Sequence, residues 1–253
     1  MGAMGLRWPL LKRRKTSAAA ISGRAEKLWY LRQTRLFDQL NESDLQRLAQ
    51  SSEMREYSRG EAIQGPGPQS DVVLLVKAGR VKISTYSPDG KEQILALLAR
   101  GDLFGELVHA ELPAPARAEA LDRAVVCSIG RVMFEDIIRH VPDVALHVIE
   151  VLARRLRAAE QEIEDLALRD VPARLASLLL RLAEGYGEDD DRGIRLSFRL
   201  THEDLAHMIG STRETVTMIM NRFRDADLVR VDRRVLIIPD RDRLHGVAHL
   251  RRA

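Results

Sequence analysis

The sequence predicts an α+β chain in three parts: an antiparallel β-rich half, one long helix, and a small winged helix-turn-helix. Three observations carry that expectation. Between Leu36 and Ile129, short β-forming runs are separated by glycine-containing turns. From Pro142 to Asp170, apolar residues recur at alternating spacings of four and three. Toward the C-terminus, "THEDLAHMIG" and "TRETVTMIMNRFR" read as two short helices joined across a glycine, followed by a hairpin pattern.

The chain has 253 residues, room for one large domain or two modest ones. Its 45% hydrophobic content supports real cores, and no apolar run approaches the length that spans a bilayer. With 30% charged residues and a net charge of only +3, any basic surface must arise from local clustering. Cys127 stands alone, which excludes an internal disulfide and a cysteine-ligated iron–sulfur cluster within one chain. Residues 1–24 are basic, but their apolar piece is too short and badly placed for a signal segment, and Leu6 stands where a myristoylation motif wants Ser or Thr. They read as a disordered, solvated leader to a cytoplasmic protein, with a secondary contact to nucleic acid as the alternative.

Residues 25–141 open with a helix over "NESDLQRLAQSS", for which Asn41 or Ser43 is a cap. The runs "DVVLLV", "RVKISTY", "QILALL" and "AVVCSI" follow, and turns at that spacing point to an antiparallel sandwich or barrel. "SPDG" before "KEQILALL" is a hairpin signal, because Asp-Gly supplies the positive φ of a tight turn.

Residues 142–170 form the long helix, with Pro142 suited to its first turn. Ala145, Ile149, Leu152, Leu156, Ala159, Ile163 and Leu166 make a heptad seam flanked by Arg and Glu. Such a helix packs on its own barrel or pairs with a second copy. The strict four-three alternation favours the homodimer, and Ala159 lets two helices approach closely.

Residues 171–253 begin with a helix over "PARLASLLLRLAEGYG", then an acidic loop "EDDDRG" and a strand "IRLSFRL". Thr201 caps the next helix, with Asp204 completing a capping box; Gly210 closes it, and Thr212 caps the one after. In that last helix Val216, Ile219, Met220 and Phe223 fall on one buried face. The other face carries Arg213, Glu214, Thr217, Asn221 and Arg224, with Met218 among them. Arg forks onto guanine and Glu accepts from the cytosine amino group, so this face suits a major groove. Arg222, Arg224, Arg233 and Arg234 are placed to meet phosphates, which position a protein on double-stranded DNA without specifying sequence. No nucleophile–base pair, metal-spaced His/Cys group or phosphate loop accompanies them. His202 and His207 are five apart, not the four of a zincin helix, so neither an enzyme nor a metal site is expected.

"LTHEDLAHMIGSTRETVT" resembles the DNA-binding motif of the cyclic-AMP receptor protein/fumarate–nitrate regulator superfamily of bacterial transcription factors. "GEAIQGPG", "LLVKAGRVKI", "KEQILALLARGDLFGEL" and "VLARRLRAAEQEIEDLALRDVPARLASLLLRLA" resemble other parts of the same family, in the same order, so the resemblance covers roughly Leu36 to Asp240. It implies a β-roll sensor domain, a dimerisation helix and a C-terminal winged helix, and a dimer on a pseudo-palindromic operator, with RNA polymerase a partner of an activator. It implies that Arg213 and Glu214 are the main base readers, joined by Thr217 and Met218. Thr212 becomes a capping phosphate contact, with Thr201, Ser211 and Asn221 also on the backbone. Met218 departs: many members hold an arginine there, whereas methionine offers only apolar contact, such as to a thymine methyl.

The resemblance also implies an effector pocket. Gly105 and Glu106, followed by Leu107, occupy the positions that meet ribose and phosphate in cyclic-AMP binders, but Ala114 and Pro115 replace their Arg-Ser pair. Arg117 is displaced from it by three residues, and Ala159 and Glu160 replace the Thr-Ser pair that holds adenine. An anion without its arginine, beside an added carboxylate, binds poorly, so cyclic AMP is not the expected effector. Arg155 and Glu160 match an Arg and Glu five apart in the branch that senses 2-oxoglutarate, although that branch's other ligand arginine aligns with Ala114. An unidentified small-molecule effector and a protein active as made both stay open. A non-DNA-binding cyclic-nucleotide regulatory subunit is disfavoured by the winged helix. Haem occurs in the superfamily, but a lone loop histidine such as His109 reads as a surface residue.

Overall fold

A computed structural model describes residues 19–21, 23–65, 71–105, 116–233 and 235–249. Strand β1 (Ala19–Ile21) is followed by α1 (Arg24–Arg32), a single 3₁₀ turn (Arg35–Phe37) and α2 (Glu42–Ser51). Asn41 caps α2, its side chain accepting from the Asp44 amide at 2.9 Å. The strands β2 (Glu53–Tyr57), β3 (Ala62–Gln64), β4 (Val72–Ala78), β5 (Val81–Tyr86), β6 (Glu92–Leu98), β7 (Leu103–Gly105), β8 (Arg117–Ala120) and β9 (Ala124–Gly130) complete the N-terminal half. They form two antiparallel sheets, ordered β1-β2-β9-β4-β7 and β3-β8-β5-β6. The leader reading needs a correction here: Ala19–Ile21 pairs with Met54–Glu56 as an edge strand, and α1 starts at Arg24. Residues 1–18 lie outside the described residues.

The run "VVLLV" after Asp71 is apolar throughout because β4 is buried on both faces. Val73 and Leu75 face a core under the helices, with Phe37, Leu48, Leu103, Ile129 and Phe134. Leu74 and Val76 face the interior of the roll, with Tyr57, Val81, Leu98, Phe104, Ala118 and Ala120. Gly79 cannot be replaced: its φ is +72°, and an added Cβ would lie 2.2 Å from the Arg123 carbonyl oxygen. Lys77, buried on the same strand, donates to the Tyr30 carbonyl at 2.6 Å and to the Thr34 hydroxyl, tying α1 to the sheet. Burial pulls its pKa down to about 8, and burial raises the neighbouring Cys127 thiol to about 11.

Two helices follow β9. The first, α3 (Arg131–His140), has no counterpart in the sequence reading. The second, α4 (Pro142–Leu168), carries Pro142 in its first turn. Its buried side is Val144, Val148 and Val151, while Ile149, Leu152, Leu156, Ile163 and Leu166 are exposed. α4 meets α5 (Val171–Tyr186) at a buried carboxylate. Asp165 accepts from Arg181 (2.6 Å), Ser177 (2.8 Å) and Gln161 (3.1 Å) and pairs with Arg169 (3.0 Å). A buried charge so surrounded is compensated, and loss of its carboxylate would leave two guanidinium groups facing each other.

The C-terminal half holds β10 (Gly187–Asp190), β11 (Gly193–Leu196), α6 (His202–Ile209), α7 (Arg213–Asp225), β12 (Arg230–Asp232), β13 (Val235–Ile238) and α8 (Arg241–Ala248). The acidic stretch read as a loop is therefore partly a strand, β10, paired with β11. Arg195 pairs with Glu188 (2.6 Å) across that hairpin, and Arg192 bridges Asp190 (3.1 Å) to Asp232 (2.7 Å). The sheet order is β10-β11-β13-β12.

Candidate nucleic-acid interface

The α6–α7 unit is built from local signals. Thr201 and Asp204 make a reciprocal capping box, Gly210 closes α6 in the left-handed conformation at φ 61°, and the Thr212 side chain accepts from the Thr215 amide. Leu205, Ala206, Met208 and Ile209 of α6 are buried, as are Val216, Ile219, Met220 and Phe223 of α7. Burying that stripe turns the rest of α7 outward. A shallow groove on it is lined by Arg213, Glu214, Thr217, Met218, Asn221, Arg222 and Asp225. Arg213, Glu214 and Asn221 are exposed and make no side-chain hydrogen bond or ion pair among the described residues. Met218 is 47% exposed, so it faces outward rather than packing inside. Asp225 was not singled out in the sequence; it stands 4.0 Å from Arg224 and adds an acid to the edge of the face.

The residues expected on the phosphates divide. Thr212 and Arg222 are exposed near the two ends of α7, and Ser211 is half-buried in the turn. The Thr201 hydroxyl is committed to its cap, donating to Asp204 Oδ2 at 2.7 Å. Arg233 sits exposed at the β12–β13 turn with φ 48°, a left-handed conformation that a non-glycine residue rarely takes outside tight turns. Arg234 lies outside the described residues. Sequence reasoning gave His202 no role, yet its Nδ1 lies 2.9 Å from Thr217 Oγ1.

The residues expected around an effector are less well gathered. A cleft of about 760 Å³ lies between β6, α4 and α5, with Leu95, Ala96, Asp102, Arg154, Arg155, Ala159, Glu162, Arg181 and Tyr186 on its walls. Arg155 is there, its guanidinium donating to the Leu103 carbonyl, and burial lowers its pKa. Glu160 is exposed outside it. Five residues turn a helix by about 140°, so Arg155 and Glu160 fall on opposite flanks of the seam. The carboxylate that α4 itself places in the cleft is Glu162, whose pKa burial raises; Asp102 and Glu184 reach it from other elements. Arg117 is also displaced: Ala118 and Ala120 point into the roll, so Arg117 and Glu119 point away from it, and the two pair at 3.1 Å. Gly105 ends β7 at φ +87°; Glu106, Leu107, His109, Ala114 and Pro115 lie outside the described residues.

The outer face of the β3-β8-β5-β6 sheet carries the DNA-binding half. Ile94 is buried in the same core as α5, α6 and α7. Tyr186 donates to the Leu97 carbonyl (2.8 Å), His207 stands 3.3 Å from Glu92, and Arg80 stacks on Phe198 at 4.2 Å. Among the described residues no helix is long and apolar enough to cross a membrane, and no group of three or more His, Cys, Asp or Glu could hold a metal.

A roll joined by a long helix to a winged helix-turn-helix, with a bare recognition face, defines a DNA-binding regulator. Comparison with known proteins agrees part by part. Residues 54–141 match the cyclic nucleotide-binding domain and residues 173–247 the Crp-like helix-turn-helix domain. The chain is 30% identical over 210 residues to the CRP-like cAMP-activated global transcriptional regulator of Mycobacterium tuberculosis, covering 83% of this chain and 94% of that one. It is 30% identical over 188 residues to the global nitrogen regulator of Synechocystis, covering 72% and 82%. A CooA mutant from Carboxydothermus hydrogenoformans superposes with a TM-score of 0.68 at 27% identity, covering 79% of this chain and 88% of that one. The chain belongs to the CRP/FNR superfamily of transcription regulators, with a helix-turn-helix DNA-binding domain.

Proposed function

We propose that this regulator binds a pseudo-palindromic operator as a homodimer joined along α4, and that cyclic AMP is not required. The observation that carries the dimer is the exposed stripe of Ile149, Leu152, Leu156, Ile163 and Leu166, apolar side chains that the protomer leaves in water. Two recognition helices joined in this way would read half-sites about one helical turn, roughly 34 Å, apart. Residues 25–141 act as the sensor, 142–170 as the dimerisation helix and 171–253 as the DNA-binding part of a cytoplasmic protein. RNA polymerase is the further partner if the bound site activates a promoter. Arg213 and Glu214 read bases with Thr217 and Met218 beside them, and no enzymatic step is assigned.

Against cyclic AMP stands the apolar Ala159 on the wall of the cleft, where the superfamily's binders carry threonine. The names of the relatives point both ways, one cAMP-activated and one a nitrogen regulator. The presence of Arg155 and Arg154 in the cleft supports a second reading, a small anionic effector seated there.

Selecting a random-centre duplex library on the protein tests the operator reading. The recovered sites should be two-fold symmetric. Arg213→Ala should then cost about 1–3 kcal/mol on the selected site and relax one base position. Equal loss of affinity for every sequence would remove Arg213 from base reading.

A further inference from the structure

We propose that His202 is a proton-dependent contact to the DNA backbone, charged when the protein is on DNA and neutral when it is free. The inference rests on the reading of α7 as the recognition helix and adds a residue that reading does not use. Thr217 spends its one hydroxyl hydrogen on the Arg213 carbonyl at 2.8 Å, the bond to a residue four back on the same helix. His202 Nδ1 approaches the Thr217 hydroxyl oxygen at 2.9 Å, so Nδ1 must carry a hydrogen and donate it. Neutral His202 therefore has its lone pair on Nε2, and Nε2 has no hydrogen-bond partner among the described residues. A second proton added at Nε2 leaves the bond to Thr217 in place and gives the ring a second donor and a positive charge.

The surroundings say what that charge is for. His202 is the first residue of α6 and is half-buried on the wall of a cavity of about 440 Å³ between the α6–α7 unit and the β12 strand. The charged groups on that wall are Arg199 before α6, Glu203 beside His202 and Arg213 on α7; Thr201 and Val231 complete the side toward the wing. In the free protein, burial and the charge of Arg213 hold the His202 pKa below its ordinary value, so the imidazole is neutral near pH 7. A DNA phosphate seated beside Arg199 and His202 adds negative charge next to the imidazole and favours the imidazolium. Binding then takes up a proton at His202, and affinity rises as pH falls.

The test uses the full-length protein and the duplex it selects, with fluorescence anisotropy from pH 5.5 to 8.5 at fixed ionic strength. If the phosphate raises the His202 pKa by one unit, wild type should bind about tenfold tighter per protomer at the acid end. His202→Gln, which can still donate to Thr217 but cannot be charged, should lose that dependence. His202→Arg, with a fixed charge, should be flat and tight. The slope of log affinity against log salt should steepen by about 0.9 per protonated His202 in wild type and not in the glutamine variant. His207→Gln removes the other imidazole of α6 and should follow wild type. Identical pH profiles in wild type and His202→Gln, or a profile flattened only by His207→Gln, would overturn the assignment. Failure of wild type to select any duplex at any pH would instead sink the DNA reading itself.

Discussion

Replacing Leu152 and Leu156 together by aspartate should turn the protein into a folded monomer. The two side chains are 42% and 61% exposed in the protomer, so they contribute little to its own core. The buried side of the same helix is Val144, Val148 and Val151, and these the substitution leaves alone. Fully burying a leucine is worth about 1.5–3 kcal/mol, so the part of Leu156 still in water offers about 1–2 kcal/mol to a partner, and Leu152 about 1. Two-fold symmetry counts each residue twice, which puts roughly 4–6 kcal/mol at stake before the cost of burying carboxylates is added. That raises the dimer dissociation constant by about 10³–10⁴-fold. Sedimentation velocity at micromolar protein reads the assembly, and urea unfolding followed by circular dichroism reads the protomer. Val148→Asp is the contrast, because it charges the buried side and should unfold the chain instead. An intact dimer in the double variant would refute the reasoning and move the interface elsewhere. A variant that unfolds like Val148→Asp would show that the stripe serves the protomer's own packing.

Calorimetry should show no tight cyclic-AMP binding and no gain in operator affinity with it; micromolar binding that strengthens operator binding would reverse that reading. Titrating 2-oxoglutarate in the same series tests the anionic alternative, whose heat should vanish in Arg155→Gln. Stability should rise between pH 8 and 9, because folded Lys77 loses its proton near 8 while the unfolded side chain holds it to about 10.5. Above pH 9 Cys127 works the other way, since the unfolded thiol ionises near 9 and the folded one only near 11. Urea midpoints measured across this range should lose the pH 8–9 rise in Lys77→Met; an unchanged profile would detach the effect from Lys77.

What was legible in the sequence followed from regular spacing. The two helices of the DNA-binding unit were bounded by caps of known geometry, and the four residues read as the buried face of α7 are all buried. What was not legible lacked a boundary or a local preference. The amphipathic α3 begins at Arg131, directly after Gly130 ends the apolar strand β9, so its period merges with the strand's run. β10 is made of glycine and acids, poor strand formers; it pairs because Arg192 and Arg195 neutralise it from β11 and the turn before it. His202 showed nothing, since its partner Thr217 lies 15 residues away on another helix.

The long helix shows why a seam could be read from sequence and a pocket could not. A seam is a property of one helix: residues three and four apart share a face whatever surrounds them, and 149, 152, 156, 163 and 166 are exposed together. A pocket depends on which flank of that seam another element covers. Arg155 and Glu160 are neighbours in sequence but straddle the seam, and only the Arg155 flank meets β6 and α5. Glu162 lies seven residues after Arg155, two turns along on the same flank, and so it, not Glu160, shares the cleft. The same reasoning moves Arg117: one step of strand parity separates the roll's interior from the face that carries the DNA-binding half. Lys82 on that outer face pairs with Glu92 at 2.9 Å and Glu119 at 3.5 Å, and Glu92 in turn meets His207 of α6. Arg117, paired with Glu119, thus belongs to the charged contact between sensor and DNA-binding unit, and an effector in the cleft would act on it through β6 rather than touch it.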